Sequence, residues 1–246
     1  MARLDADKIP RHVAIIPDGN GRWAEARGLD RSVGHQRGTE VVREIVRAAH
    51  ELGVKRLTIY AFSKENWERP QEEVEAIMAL LDDYITEESD ELEANGIQVL
   101  AIGRLSLLKP RLRRAVETLV KRTAGNGEMI LTFALSYSGR GEIVDAVRAI
   151  ARQVESGRLD PEAIEEKDIR ANLYAPDLED PDLLIRTGAE HRISNFLLWQ
   201  LAYTELWITD ALWPDFTKRD LVDALEGYQQ RERRFGRTGE QVRKSP

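Results

Sequence analysis

Six short, mainly apolar runs punctuate the chain, at 13–16, 57–62, 97–102, 129–135, 182–186 and 203–208. Each is too short for a helix and is bounded by turn-forming or polar residues. Each therefore predicts a strand, the first of them buried on both faces. The intervening stretches show the three- and four-residue spacing of helices. Val41, Val42, Ile45, Val46 and Ala49 form one apolar face that Gly53 stops. Val74, Ile77, Met78, Leu81, Ile85 and Leu92 form another, beginning after Pro70. A basic amphipathic helix is expected over 110–122, and a further one is marked by Ile143, Val144, Val147, Ile150 and Ala151. Thr217 caps the last helix, with Asp220 three residues on. Residues 31–35 read as a loop, and 156–181 as a connection containing a short helix. Strands alternating with helices predict an α/β fold. The sheet is largely parallel, six-stranded and flanked by helices.

The 246 residues suffice for one sizeable core, so a single domain over 1–246 is expected, with 1–10 and 237–246 as tails. The chain has no cysteine, which removes disulfides, thiolate chemistry and zinc–thiolate sites. Its first residues lack the apolar core of a secretory signal, and no apolar run approaches the ~18 residues of a membrane span. A cytoplasmic location fits these features. A net charge of −7 argues against general nucleic-acid binding. The charge is unevenly placed. Residues 71–95 hold ten acids and no base, whereas 231–244 hold six bases and two acids.

The candidate chemistry lies where strands end. The first strand runs into Pro17-Asp18-Gly19-Asn20-Gly21-Arg22-Trp23, a glycine turn with one carboxylate, and Arg31 and His35 follow. The second ends in Ser63, Asn66, Trp67 and Arg69, after Phe62. The fifth ends at Arg186 and leads to Arg192 and Ser194, while Glu205 lies at the approach to the sixth. Carboxyl ends of parallel strands share one edge, so these groups are expected to converge. Five arginines, a carboxylate and a glycine turn suit one or two diphosphates with Mg²⁺. The P-loop and dinucleotide fingerprints are absent, as is the aspartate-rich motif of trans-prenyl synthases.

The motifs H-V-A-I-I-P-D-G-N-G-R-W at 12–23, Y-A-F-S-K-E-N-W-E-R-P at 60–70, D-L-L-I-R-T-G at 182–188, E-H-R-I-S-N-F-L-L-W-Q at 190–200, W-P-D-F at 213–216 and R-E-R-R-F-G at 231–236 resemble those of the cis-prenyltransferases, and most closely bacterial undecaprenyl diphosphate synthases. They occur in family order over nearly the whole chain. The resemblance implies an α/β domain with an apolar tunnel that extends an allylic diphosphate with isopentenyl diphosphate. Farnesyl diphosphate would be the primer, and the product a medium-chain lipid carrier precursor for cell-wall glycan synthesis.

It also implies residue roles. Asp18 and Glu205 would serve Mg²⁺. Gly19, Asn20, Gly21, Arg22, Trp23, Arg31 and His35 would cradle the allylic diphosphate. Asn20, Ser63 and Asn66 would arrange isopentenyl diphosphate and its proton loss. Arg69 would reach a diphosphate, Arg186, Arg192 and Ser194 would hold isopentenyl diphosphate, and Phe62 and Trp67 would shape the apolar side. Val74, Ile77, Met78, Leu81 and Ile85 would line the tunnel. A homodimer is implied, with Arg234 and Gly236 completing the neighbour's site and residues 196–207 supplying apolar interface. The product would draw the enzyme to the inner membrane face.

Three departures from the family pattern stand out: Pro17, Ala189, and Ser136 with Ser138. They bear on substrate preference and chain length rather than reaction type. Two rival readings are a non-catalytic partner subunit and a phosphate-ester hydrolase. The first would have lost Asp18 and several arginines. The second needs a nucleophile or base that only His35 offers nearby.

Overall fold

The computed structural model describes residues 4–232. Its six strands are β1 (His12–Ile16), β2 (Arg56–Ser63), β3 (Ile97–Ile102), β4 (Met129–Tyr137), β5 (Leu183–Arg186) and β6 (Glu205–Ile208). They form one sheet in the order 3-4-2-1-5-6, and every pairing is parallel. The helices are α1 (Asn20–Glu25), α2 (Arg31–Glu51), α3 (Gln71–Ala94), α4 (Pro110–Arg122), α5 (Gly139–Glu155), α6 (Glu166–Ala171) and α7 (Lys218–Gln229).

β1 is central because all five of its side chains are buried, Val13 and Ile15 toward one face and Ala14 and Ile16 toward the other. Successive strand side chains alternate between faces, so one strand feeds both layers. On the first face the apolar stripes of α2, α3, α4 and α7 pack over Leu57, Ile59, Leu131 and Ile185. On the second, Tyr60, Tyr137, Phe196 and Leu197 build a smaller aromatic layer in which Tyr60 stacks on Phe196 at 4.4 Å. Thr217 caps α7 through a full capping box with Asp220, as its spacing predicts.

The acidic back of α3 is paired rather than simply solvated. Arg43 and Arg47 of α2 reach Glu87, Glu88 and Glu91, and Arg111 and Arg122 of α4 reach Asp82 and Glu93. Residues 4–10, expected as a tail, are tied to α7, where Asp5 and Gln229 exchange two hydrogen bonds.

Three local expectations are corrected. Residues 31–35 are the first turn of α2, not a loop. Asp30 caps that helix by accepting from the Ser32 N–H, a signal present in the sequence. On α5, Ala146 and Ile150 are buried while Val144 and Val147 face outward. The apolar count was right there and the face was wrong. Within 196–207, Phe196 and Leu197 belong to the chain's own aromatic layer, leaving Tyr203 and Leu206 exposed.

His12 joins the sheet to the 156–181 connection. Its Nδ1 donates to the Glu179 carbonyl at 2.6 Å, and its Nε2 accepts from the Thr58 hydroxyl at 2.8 Å. A carbonyl can only accept, so Nδ1 carries a proton, and the lowered pKa leaves Nε2 free to accept at neutral pH. Burial, opposed mainly by the Glu179 carbonyl, pushes its pKa down to about 4 from 6.5. The unfolded chain therefore takes up a proton below pH 6.5 that the folded chain refuses until about pH 4. Stability from this group should be full above pH 6.5 and fall by about 3 kcal/mol as pH drops toward 4. Urea unfolding of the wild type and His12→Gln across this range should show the difference between them changing with pH. A pH-independent difference would contradict it.

Candidate active site

Asp18 follows β1 by two residues, and Arg186 is the last residue of β5. The two strands are neighbours, and the chain leaves β1 on one side and returns to it on the other. Ligands of open α/β sheets bind at this kind of switch point. Across it, Arg186 Nη2 donates to Asp18 Oδ2 at 2.8 Å. Arg186 is buried, so this pair carries much of its charge compensation. Its Nη1 donates to Ser194 Oγ at 2.7 Å and to the Arg192 carbonyl. Arg22 approaches the other Asp18 oxygen at 3.3 Å. Thr187 fixes the Asp18 backbone by accepting from its N–H at 2.8 Å and donating to its carbonyl at 2.7 Å.

Two polar cavities meet at Asp18. One is lined by residues 17–22 with Arg31, His35, Asn66 and Arg69. The other, of about 570 Å³, is lined by Asp18, Ser63, Asn66, Arg69, Arg186, Arg192 and Ser194. Asp18, Asn66 and Arg69 therefore belong to both. The first cavity shares Asn20, His35, Phe62 and Ile77 with a third, apolar one that runs between the sheet and α2 and α3.

The turn geometry holds these groups in place. Gly19 has φ 110° as the N-cap of α1, a conformation that glycine adopts without strain. Ser63 and Asn66 form a reciprocal capping box, Asn66 N–H to Ser63 Oγ at 3.2 Å and Ser63 N–H to Asn66 Oδ1 at 3.0 Å. The loop after β5 contains Ala189, Ser194, Asn195 and Leu197, all at positive φ. Such strain in non-glycine residues concentrates where a site is held in a fixed shape. His35 is nearly buried, and desolvation, only partly offset by Glu73, lowers its pKa. It is thus neutral near pH 7.

The family model described as "Putative undecaprenyl diphosphate synthase" matches residues 16–236. The chain belongs to this prenyltransferase family. It is 54% identical over 228 residues to the isoprenyl transferase of Geobacillus kaustophilus, covering 93% of this chain and 89% of that protein. It is 51% identical to the isoprenyl transferase of Geobacter sulfurreducens, covering 98% of each. The crystal structure of lavandulyl diphosphate synthase from Lavandula x intermedia, in complex with dimethylallyl diphosphate, superposes with a TM-score of 0.91. The identity there is 40%, over 94% of this chain and 99% of that one.

Most residues that the prenyltransferase motifs single out come together around the two polar cavities: Asp18, Gly19, Asn20, Gly21, Arg22, Arg31, His35, Phe62, Ser63, Asn66, Arg69, Arg186, Arg192 and Ser194. Trp67 lies just behind them, edge-on to Phe62 and donating from Nε1 to Ser136 Oγ at 3.1 Å. Ser136 thus supports Trp67, and Ser138 caps α5.

Two expected residues are placed elsewhere. Trp23 lines neither polar cavity and instead donates to Asp215 at 2.7 Å, with Arg27 over its ring. Glu205 pairs in register with Leu183, which pairs with Val13. It opens a parallel strand, so it lies on the amino edge, more than ~10 Å along the strands from Asp18. There it binds Arg231 at 2.8 Å. Within this chain Glu205 does not share a site with Asp18. Arg234 and Gly236 lie outside the described residues.

The expected tunnel stripe is turned by about one residue's rotation. Ile77 and Leu81 face the apolar cavity, joined by Leu80 and Tyr84, whereas Val74, Met78 and Ile85 pack in the core. Thr187 and Glu73 had not been singled out. Thr187 stood inside a quoted motif, but Glu73 was indistinguishable from nine other acids on the same segment.

α1 and α2 touch so closely at Gly34 that an added Cβ would lie 2.1 Å from the Asn20 carbonyl oxygen. Gly→Ala inside a helix normally stabilises by up to about 1 kcal/mol. Here the backbone clash should win, costing about 1–3 kcal/mol. Gly34→Ala should lower Tm by several degrees and loosen Asn20, as read by thermal melting. An unchanged or raised Tm would contradict the packing.

Proposed function

We propose that this enzyme is a Mg²⁺-dependent cis-prenyl chain-elongating transferase. It would add isopentenyl diphosphate repeatedly to an allylic primer, farnesyl diphosphate, and release a medium-chain product of the undecaprenyl type. That product would serve as lipid carrier precursor for cell-wall glycans. The observation that carries this reading is the pair of polar cavities sharing Asp18, Asn66 and Arg69, one of them continuing into an apolar cavity. Two diphosphates side by side need two cationic cavities, and a growing hydrocarbon needs an apolar continuation from only one. That the lavandulyl diphosphate synthase was crystallised with an allylic diphosphate supports the same substrate class.

In this scheme the allylic C1–O bond breaks and its electron pair leaves on the diphosphate. The isopentenyl double bond supplies the electrons of the new C–C bond, and loss of a C2 proton restores a double bond. Arg22, Arg31 and Arg69 face the leaving diphosphate, where fixed cations stabilise the developing charge. Arg186, Arg192 and Ser194 hold isopentenyl diphosphate. The Ser63–Asn66 box keeps both polar groups beside the reacting carbons.

The residues fit Mg²⁺. Asp18 supplies one partly exposed carboxylate at the point where the two polar cavities meet. This ion takes one or two carboxylates and completes its shell with substrate phosphates and water. When bound, it would supply Lewis-acid charge neutralisation of the leaving diphosphate.

We read the working form as a homodimer, pairing beside β6, the edge strand among the described residues, where Leu206 is exposed. The enzyme would work in the cytoplasm and be drawn by its product to the inner membrane face. Among the described residues no helix is long and apolar enough to cross a membrane.

Incubation with radiolabelled isopentenyl diphosphate and a series of allylic primers tests the proposal, and products of several condensations are expected. A single-condensation product, or none, would overturn it. Asp18→Asn keeps an acceptor for Arg186 but removes the charge. It should fold, and lose about a thousandfold or more in rate, as should the wild type in excess EDTA. Near-normal turnover would exclude the metal role.

Tyr84 lines the apolar cavity, edge-on to Phe133 with ring centroids 5.6 Å apart. The Tyr84 hydroxyl is buried without a partner. Tyr84→Phe should therefore leave stability and product unchanged, whereas Tyr84→Ala should shift products to longer chains. An identical chain-length distribution for the alanine variant would show that the hydrocarbon grows elsewhere.

A further inference from the structure

Glu73 is the third residue of α3, and its carboxylate gathers three donors from two other parts of the chain. Arg31 Nε reaches Oε2 at 3.2 Å, His35 Nε2 reaches Oε1 at 3.1 Å, and Arg69 Nη1 reaches Oε1 at 3.0 Å. All three line the polar cavity around Asp18, and the Glu73 side chain is only 11% exposed. An acid in the first turn of a helix is ordinarily explained by the helix dipole. Glu72 satisfies that explanation equally and is exposed. The dipole does not account for a buried carboxylate reaching two arginines and a histidine.

Resting on the function proposed above, we propose that Glu73 is a positioning residue: it fixes Arg31, His35 and Arg69 in the orientation that receives the allylic diphosphate, without touching the substrate. Two opposite effects follow from a carboxylate in this place, and they differ in sign. As a mere negative charge beside a polyanion site, Glu73 opposes binding, and its removal would tighten it. As the group that orients the cations, it favours binding, and its removal loosens it. Without Glu73, Arg31 is left to Glu25 on the outer side of α1. Arg69 would keep its charge and lose its fixed direction. A guanidinium fork binds phosphate well only when its N–H groups are aimed, so the orienting effect should be the larger.

Calorimetric titration with farnesyl S-thiolodiphosphate, an unreactive allylic analogue, in the presence of Mg²⁺ separates the two. Glu73→Gln should weaken binding at least about tenfold. The steady-state KM for the allylic substrate should rise more than that for isopentenyl diphosphate. The His35 ring should titrate at still lower pH by NMR. Its neighbours are Glu73, which holds its pKa up, and Arg31 and Arg69, which lower it. A merely structural role would move Tm and leave His35 titration and analogue affinity alone. If Glu73→Gln does not fold, Glu73→Asp carries the test. It keeps the charge but is too short to span all three donors, so binding should weaken in the same direction. Affinity equal to or tighter than wild type, or an unmoved His35, would overturn the proposal. Wild-type protein that makes no prenyl product would overturn the proposed function itself; an active wild type with an unaffected Glu73→Gln would overturn only the role of Glu73.

Discussion

The ion pair between Asp18 and Arg186 is the contact on which the rest of the site depends. It spans the ends of β1 and β5, where the chain's two winding directions separate. Arg186 is buried, so its charge would be costly without Asp18, Ser194 Oγ and the Arg192 carbonyl. Satisfying it forces the loop after β5 to fold back over the strand end, and that loop accepts several left-handed residues to do so. Asp18 lines both polar cavities, and Arg186 the larger of them. Asp18 is consequently in demand, since the groups that compete for it are those a substrate phosphate would draw away. The arginines are held by carboxylates: Arg22 by Asp18 and Glu190, Arg31 by Glu25 and Glu73, and Arg192 by Glu190. Diphosphates would enter by exchanging one anion for another, so the carboxylates spare the protein a cluster of mutually repelling, unpaired cations and give up part of the attraction for phosphate in return.

The sheet was legible because its strands are buried runs separated by helices of clear period, and parallel strands put their carboxyl ends together. That rule located the chemistry around Asp18, Ser63, Asn66 and Arg186. Its misapplication also explains why Glu205 was expected beside Asp18 within one chain, although it begins a strand and so sits on the opposite edge. The start of α2 was missed although Asp30 is a good cap, because Gly34 and Gly38 look like loop residues. They are instead small so that α1 and Trp213 can approach. The stripe of α3 was rotated because periodicity marks Tyr84 and Met78 as equally apolar. Only packing decides that Tyr84 lines a cavity while Met78 fills the core.

Glu73 could not be distinguished in the sequence for a different reason. An acidic run at helical spacing ordinarily means a solvated face, and most of this run is on the surface or paired with α2 and α4. One member turns inward because the first turn of α3 starts beside the end of β2. Its partners Arg31 and His35 are about forty positions away in sequence and come together only through the parallel crossover. Side-chain placement across a sheet edge is tertiary information, and no local pattern carries it.

The most direct test of the account is a crystal structure of the wild type with farnesyl S-thiolodiphosphate, isopentenyl diphosphate and Mg²⁺ together. The account predicts one diphosphate among Arg22, Arg31 and Arg69 with its hydrocarbon directed toward Tyr84. It predicts the other between Arg186, Arg192 and Ser194, with Asp18 released from Arg186 to the metal. Diphosphates bound away from the carboxyl edge of β1 and β5, or a hydrocarbon leading out to solvent from that edge, would contradict it.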